Sequence, residues 1–265
     1  MPAPMPPIYK NLLNILWLPL IIFALGYLVA SYLDSQQQQQ NHQTIQRELD
    51  ARLKQISEGV VERVTLYQYG IRGVRGAVMT SRLENFDYAQ MQAYTKTRDY
   101  PLEFPGARGF GFIRFILPDQ KDDFVAKARA DRPDNSFDIR TLTAHNDSLF
   151  VIQYIEPENR NKQAVGLDIG SESMRREAAL NAARFNEVRL TAPITLVQAS
   201  KKTKQGFLIL MPIYQHNEVP ARIDQRLQEL AGWSYAPILI DEVLSSVSGL
   251  NDDVTLSISD ITNGA

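Results

Sequence analysis

The chain has no cysteine among its 265 residues. This absence excludes disulfide bonds, thiolate metal sites and a cysteine nucleophile, but it does not decide the cellular compartment. The chain also has no large excess of charge of one sign, because 28 lysine and arginine residues nearly balance 30 aspartate and glutamate residues. The formal net charge of −2 argues against bulk electrostatic binding to nucleic acid, so we expect no nucleic-acid partner.

Motifs that mark common catalytic sites are absent as well. The sequence contains no G-x-S-x-G elbow and no Walker sequence. Gly106, Gly109 and Gly111 lack dinucleotide-loop spacing and lead into a strand, so we expect bends or close packing there. We therefore expect no cofactor, no metal and no catalytic residue in this chain.

Two groups of polar residues leave weaker alternatives open. The histidines do not have metal-ligand spacing and are expected on solvated loops; they are His42, His145 and His216. Four carboxylates could in principle serve hydrolysis, although no spacing places them on one face: Asp134, Asp138, Asp147 and Glu156. A membrane-anchored hydrolase is therefore retained as the least favoured class of function.

One long hydrophobic run is present, from Leu12 to Leu33, and it carries no charge. A helix of this length spans roughly 30 Å, enough for one membrane crossing. Signal-peptide apolar regions are shorter, about 7–15 residues, which favours an uncleaved anchor. Lys10 before the run and Asp34 after it place residues 1–11 in the cytoplasm and the bulk of the chain outside. The expected location is the inner (plasma) membrane, with a periplasmic or extracellular domain.

A stalk helix is predicted over residues 34–81, after the membrane span at 12–33. Its solvated start is the polar run Gln36–Gln40. Apolar residues then recur at steps of mostly three and four, which is a near-heptad stripe: Leu49, Leu53, Ile56, Val60, Val64, Tyr67, Ile71, Val74 and Val78. The stripe is expected to pack on its own domain, and its membrane-near half to pair with a second chain in a homodimer.

The rest of the chain mixes helical and strand patterns. Helices are predicted over 85–100, with Asp87 as cap and Pro101 and Pro105 ending it, and over 119–130, 172–185 (capped by Ser171) and 239–247. Strands are predicted over 109–116, 137–142, 148–155, 189–197, 206–214, 232–238 and 254–258. Strands 189–197 and 206–214 should form an antiparallel hairpin around a lysine-rich loop. This alternation predicts an α+β fold.

Three successive motifs carry a resemblance to a known family: GLDIGSE-x-x-RR-x-A from Gly166, RLTAPITLVQ from Arg189 and GFLILMPIY ending at Tyr214. They resemble the CHASE domain, an extracytoplasmic ligand-sensing module of receptors such as sensor histidine kinases and diguanylate cyclases, distantly similar to plant cytokinin receptors. The resemblance covers roughly residues 84–240. It implies a PAS-like antiparallel sheet with flanking helices at 82–230, and the start of a second, membrane-proximal lobe at 231–265.

The resemblance also implies a ligand site around Asp168. Locally, this carboxylate could simply stabilise the nearby helix N-terminus. In the plant receptors, however, the aspartate of this motif bonds the ligand, and the same alignment places Leu190 and Thr191 on the pocket wall. Further wall residues are expected to be apolar or aromatic, although they could equally form an ordinary core: Phe110, Phe112, Tyr154, Leu196, Phe207 and Ile209.

These observations favour an extracytoplasmic small-molecule sensor of a transmembrane receptor. Ligand binding would shift the stalk and control a cytoplasmic histidine kinase or diguanylate cyclase beyond Ala265, because the ending Asn263-Gly264-Ala265 is interpreted as a cut within a longer protein. The alternative is a membrane-anchored solute-binding protein without its own output domain. In either case this chain itself is expected not to be an enzyme.

Overall fold

The computed structural model describes residues 7–195 and 205–245, and it divides the chain into two units, 1–55 and 56–265. In the first unit the described residues belong to helix α1, which runs from Pro7 to Ser81. Side chains from Trp17 to Gln55 are exposed. The helix contains an apolar stretch of mean hydropathy 1.6, so its length and composition suffice for a membrane crossing.

The second unit combines helices with one sheet. After α1, the helices are α2 (Tyr88–Lys96), α3 (Tyr100–Glu103), α4 (Lys121–Asp131), α5 (Glu158–Asn161), α6 (Ser173–Phe185), α7 (Ile223–Gln228) and α8 (Ile240–Ser245). The strands are β1 (Phe110–Ile116), β2 (Arg140–Thr141), β3 (Leu149–Glu156), β4 (Leu167–Asp168), β5 (Arg189–Leu190), β6 (Ile194–Thr195), β7 (Gln205–Tyr214) and β8 (Leu230–Leu239).

The strands pair in the order β2-β4-β3-β1-β8-β7-β5, and β6 also pairs with β7. The β2–β4 pair is parallel and the other pairs are antiparallel. This mixed, mostly antiparallel sheet with flanking helices confirms the α+β prediction. Both β5 and β6 pair antiparallel with β7, as the predicted hairpin requires.

Alternation along β7 separates the core into two faces. Leu208 and Leu210 join a cluster with the alanines of α6, which defines the α6 face: Ala179, Ala182 and Ala183. Ile209, Met211 and Ile213 join a cluster with the end of the stalk, which defines the stalk face: Tyr67, Ile71, Val74 and Val78. These four stalk residues have no exposed surface, so the prediction that the stripe packs on its own domain is confirmed for them.

Several predicted element ends are corrected. Asp87 caps α2 by accepting a hydrogen bond from the Gln90 N–H at 2.7 Å, as predicted, but α2 ends at Lys96. Pro101 lies in the first turn of α3 rather than ending a helix, because the first helical turn needs no N–H donor from it. The cap of α6 is Glu172, whose carboxylate accepts from two backbone N–H groups, whereas the Ser171 hydroxyl donates to the carbonyl of Asp168.

Two predicted strands are shorter than expected. The pattern at 137–142 yields only β2, whose two residues are exposed, and the pattern at 189–197 yields β5 and β6 separated by a bend. Pro193 lies in that bend and cannot donate to a strand ladder. The strand predicted at 254–258 and the tip of the hairpin lie outside the described residues.

The expected boundary at residue 231 does not match the sheet. All ten residues of β8 are buried, and β8 lies between β1 and β7 in the middle of the strand order. Residues 231–239 therefore complete the same sheet instead of opening a second lobe. The reason is partly nonlocal: β8 pairs with the preceding strand β7 and also with β1, which is distant in sequence.

Candidate functional site

Asp168 is fully buried at the end of β4, and its carboxylate is engaged inside the protein. Oδ1 accepts hydrogen bonds from the N–H groups of Phe150 (2.8 Å) and Gly170 (2.9 Å). Oδ2 lies 2.6 Å from Nε2 of His145. The carboxylate thus joins β3 to the turn that precedes α6. The His145 side chain is only 14 % exposed, so the prediction of a solvated loop is wrong for this histidine.

The arginines of the same motif add further contacts around the turn that precedes α6. Arg176 donates to the carbonyls of Gly170 (2.8 Å) and Ser148 (2.6 Å), and its guanidinium lies 4.6 Å from the ring centre of Phe150. Arg175 is buried and donates to the carbonyl of Thr195 at 2.9 Å, which ties α6 to β6. Much of the motif that carries the family resemblance therefore holds the fold together around the turn before α6.

Thr191 lies far from Asp168 in the strand order, since β3, β1, β8 and β7 separate β4 from β5. Its hydroxyl accepts a hydrogen bond from the Leu208 N–H, and its own N–H donates to the Leu208 carbonyl, each at 3.0 Å. Leu190 is 46 % exposed. The two polar groups of the expected pocket are thus each used in backbone pairing, at different places in the sheet.

The other expected wall residues pack on the stalk face. Phe110, Phe112, Tyr154 and Ile209 are buried in that cluster, and Phe207 packs against it. The Tyr154 hydroxyl donates to the Asp131 carboxylate at 2.6 Å. Leu196 lies outside the described residues. The structure therefore brings most of the wall residues together, but with the stalk helix and on a different face from Leu208 and Leu210.

Gly109 and Gly111 lie apart from these wall residues, on the α6 face. A side chain at Gly111 would meet the Tyr154 carbonyl oxygen at 2.3 Å and the Tyr235 ring at 2.5 Å. A side chain at Gly109 would meet the Glu156 carbonyl oxygen at 2.6 Å and the Asn161 amide at 2.9 Å. The expectation of close packing is confirmed at both. Tyr235 and Asn161 therefore each lie against one of two glycines that are two residues apart in the chain.

Tyr235 is fully buried, and its hydroxyl has no hydrogen-bond partner in the described part of the chain. Burial raises the pKa of this hydroxyl well above its usual value, so it stays neutral and can both donate and accept. Its ring belongs to the α6-face cluster, together with Ile155, Ala164 and Leu239. A buried polar group left unpaired costs about 1–3 kcal/mol, which makes this hydroxyl a candidate ligand contact.

Asn161 is also buried, and one of its two polar side-chain atoms lacks a hydrogen-bond partner among the described residues. Its Nδ2 donates to the carbonyls of Arg108 and Pro157, each at 2.9 Å, while its buried Oδ1 accepts no hydrogen bond from the described residues. Sequence reasoning missed both residues. Tyr235 was assigned to a second lobe, and no sequence signal shows that a hydroxyl lacks a partner. The glycine pair opposite them was the available signal.

An open cleft of about 1010 Å³ lies elsewhere, beside α2 and α3, and basic side chains line it: Lys96, Arg98, Arg108 and Arg160. Two of these cations already have carboxylate partners, Arg98 with Glu103 (2.8 Å) and Arg108 with Glu242 (3.1 Å). No group of three histidine, aspartate or glutamate side chains is placed to hold a metal within residues 7–195 and 205–245.

Residues 84–265, more than half of the chain, match the CHASE domain. CHASE domains are extracytoplasmic sensor domains of signalling receptors, and they bind small-molecule ligands. The chain belongs to the CHASE family. None of the curated proteins compared with the chain matches it.

Proposed function

We propose that this chain is the ligand-sensing part of a transmembrane signalling receptor and that its ligand binds on the α6 face, against Tyr235 and Asn161. The buried Tyr235 hydroxyl without a partner carries this proposal, since the family match supplies a sensor but no site. The apolar segment of α1 would anchor the chain in the inner membrane. The output domain, a histidine kinase or diguanylate cyclase, would follow in a longer protein.

The two polar atoms define the chemistry of the ligand. Asn161 Oδ1 can only accept a hydrogen bond, whereas the Tyr235 hydroxyl can donate or accept. The complement is a small neutral molecule with at least one N–H or O–H group and an apolar body that fits the aliphatic residues of the α6 face. A few polar contacts within apolar walls are typical of small-molecule sites. A charged ligand would be disfavoured here because the cluster around Tyr235 is apolar.

In the proposed mechanism, β8 connects the two faces of the sheet. Tyr235 lies in the α6-face cluster, while the next residue, Ala236, lies in the stalk-face cluster with Val74. A ligand that changes the packing of β8 on one face therefore acts on the packing of the stalk on the other. Such a ligand favours one of two arrangements to the extent that it binds them with different affinity.

The test uses the complete chain in detergent micelles and a thermal-shift screen of metabolites, because a ligand of the folded state raises its stability. A hit is then titrated calorimetrically against two variants. Tyr235→Phe removes the unpaired hydroxyl and should weaken binding by about tenfold or more. Tyr214→Phe is the matched control, since the Tyr214 hydroxyl donates to the Ala183 carbonyl at 2.6 Å and should leave affinity unchanged.

Equal affinity of the parent and Tyr235→Phe would place the ligand elsewhere and reject the proposed site. Binding that requires Tyr235 but does not alter the stalk, measured by spin-label distances within α1, would instead support the solute-binding alternative.

A further inference from the structure

A second cleft, of about 710 Å³, lies where β1 ends. Its walls come from the segment after α1, from β1, α4 and α7, and from the beginning of β8. Arg114 lines this cleft, and alternation along β1 places it on the same face as Phe112. Neither Tyr235 nor Asn161 lines the cleft, so it is distinct from the proposed site.

Arg114 is half-buried, and its guanidinium has neither a hydrogen bond nor an ion pair with any residue that the structure describes. Burial lowers the pKa of its guanidinium, and the attraction of Tyr154 and Glu84 offsets part of that effect. The group remains charged at neutral pH because the ordinary arginine pKa is so high. A guanidinium presents five N–H donors in a planar fork, so this one offers unused donors to the cleft.

The other cation that lines this cleft already has a carboxylate partner. Lys127 forms an ion pair with Asp123 at 2.8 Å, and both line the cleft. The remaining polar lining consists of glutamine amides, whereas the apolar lining is extensive: Leu83, Ile116, Leu117, Phe124, Leu227 and Leu230. Among the described residues, the lining of this cleft therefore combines one cation without a carboxylate partner with a broad apolar wall.

We propose that this cleft binds an organic carboxylate, with its carboxyl group on Arg114 and its apolar body against Leu117, Phe124 and Leu227. Arginine pairs with carboxylates through two parallel hydrogen bonds, and the volume lies in the range of small-molecule sites. A phosphate fits less well because Glu84 already adds negative charge near Arg114, and one guanidinium does not balance a second negative charge on the ligand. Leu83, two residues beyond the end of α1, would contact the bound molecule and could couple this site to the stalk.

The experiment measures calorimetric binding of three probes to the complete chain in detergent: phenylacetate, its uncharged analogue phenylacetamide, and inorganic phosphate. Phenylacetate should bind saturably, and phenylacetamide and phosphate at least about tenfold more weakly. Arg114→Gln should abolish phenylacetate binding, and Arg114→Lys should weaken it about tenfold because the planar fork is lost. Arg222→Gln is the matched control, since Arg222 is exposed and pairs with Asp224 outside the cleft.

Arg114→Gln removes a charge that has no partner, so its melting temperature should not fall below that of the parent. If it fails to fold, Arg114→Lys supplies the comparison. Equal phenylacetate affinity in the parent and the Arg114 variants, or phosphate binding as tightly as phenylacetate, would overturn the proposal. Tyr235→Phe should leave phenylacetate binding unchanged, so failure here is distinguishable from failure of the proposed sensing site.

Discussion

Replacing Asp168 by alanine should destabilise the fold strongly. The substitution leaves the N–H groups of Phe150 and Gly170 without their acceptor in a region where Asp168 itself has no exposed surface. Each buried donor left unpaired costs about 1–3 kcal/mol, so the expected loss is roughly 2–6 kcal/mol. Because small domains are stable by only about 5–15 kcal/mol, urea denaturation followed by circular dichroism should detect the change at once.

Asp168→Asn is the matched control. Its side-chain oxygen can still accept from both N–H groups, and only the contact with His145 changes, so it should lose much less stability than the alanine variant. An alanine variant that unfolds at the same urea concentration as the parent would refute the reasoning. An asparagine variant with parental stability but lost ligand affinity would restore the idea that Asp168 contacts the ligand.

Three further predictions concern packing, pH and association. Gly111→Ala should destabilise by about 1–3 kcal/mol or more, because the new methyl group meets a backbone oxygen, whereas Gly76→Ala, with open space around it, should stabilise the helix by up to about 1 kcal/mol; thermal melts compare them. Burial raises the pKa of Glu156 above its usual 4.5, so the stability present below pH 4.5 is lost as pH rises through the folded pKa. Glu156→Gln should flatten this part of the pH–stability curve, and an unchanged curve would contradict the assignment. Leu49 and Leu53 are about half exposed, so changing both to aspartate should weaken self-association in sedimentation without lowering the melting temperature; a chain that is monomeric before the change would reject the stalk dimer.

Helices and strands were predictable where the pattern that identifies them lies within one short segment of the sequence. The stripe from Tyr67 to Val78 and the apolar run of β7 are both local patterns, and both appear in the structure. The cap at Asp87 is also local, because donor and acceptor lie three residues apart.

The candidate site was not predictable in the same way. Tyr235 gains its position from Gly111 on a distant strand, and the lack of a partner for its hydroxyl depends on every neighbour in three dimensions. Asp168 shows the converse. Its motif predicts a ligand contact, which stays a prediction, while the groups that bond the carboxylate in the structure, including Phe150 and His145, come from other elements. A sequence pattern therefore located the residue without revealing its partners.

We propose that the fold keeps the Tyr235 hydroxyl buried and unpaired for a ligand. Comparing the ligand-free melting temperatures of the parent, Tyr235→Phe and Tyr214→Phe tests it most directly. Tyr235→Phe should melt at or above the parent temperature, since an unpaired buried hydroxyl is removed, while Tyr214→Phe should melt lower because the Ala183 carbonyl loses its donor. If Tyr235→Phe melts as far below the parent as Tyr214→Phe does, the Tyr235 hydroxyl already has a partner in the free protein and the claim is contradicted.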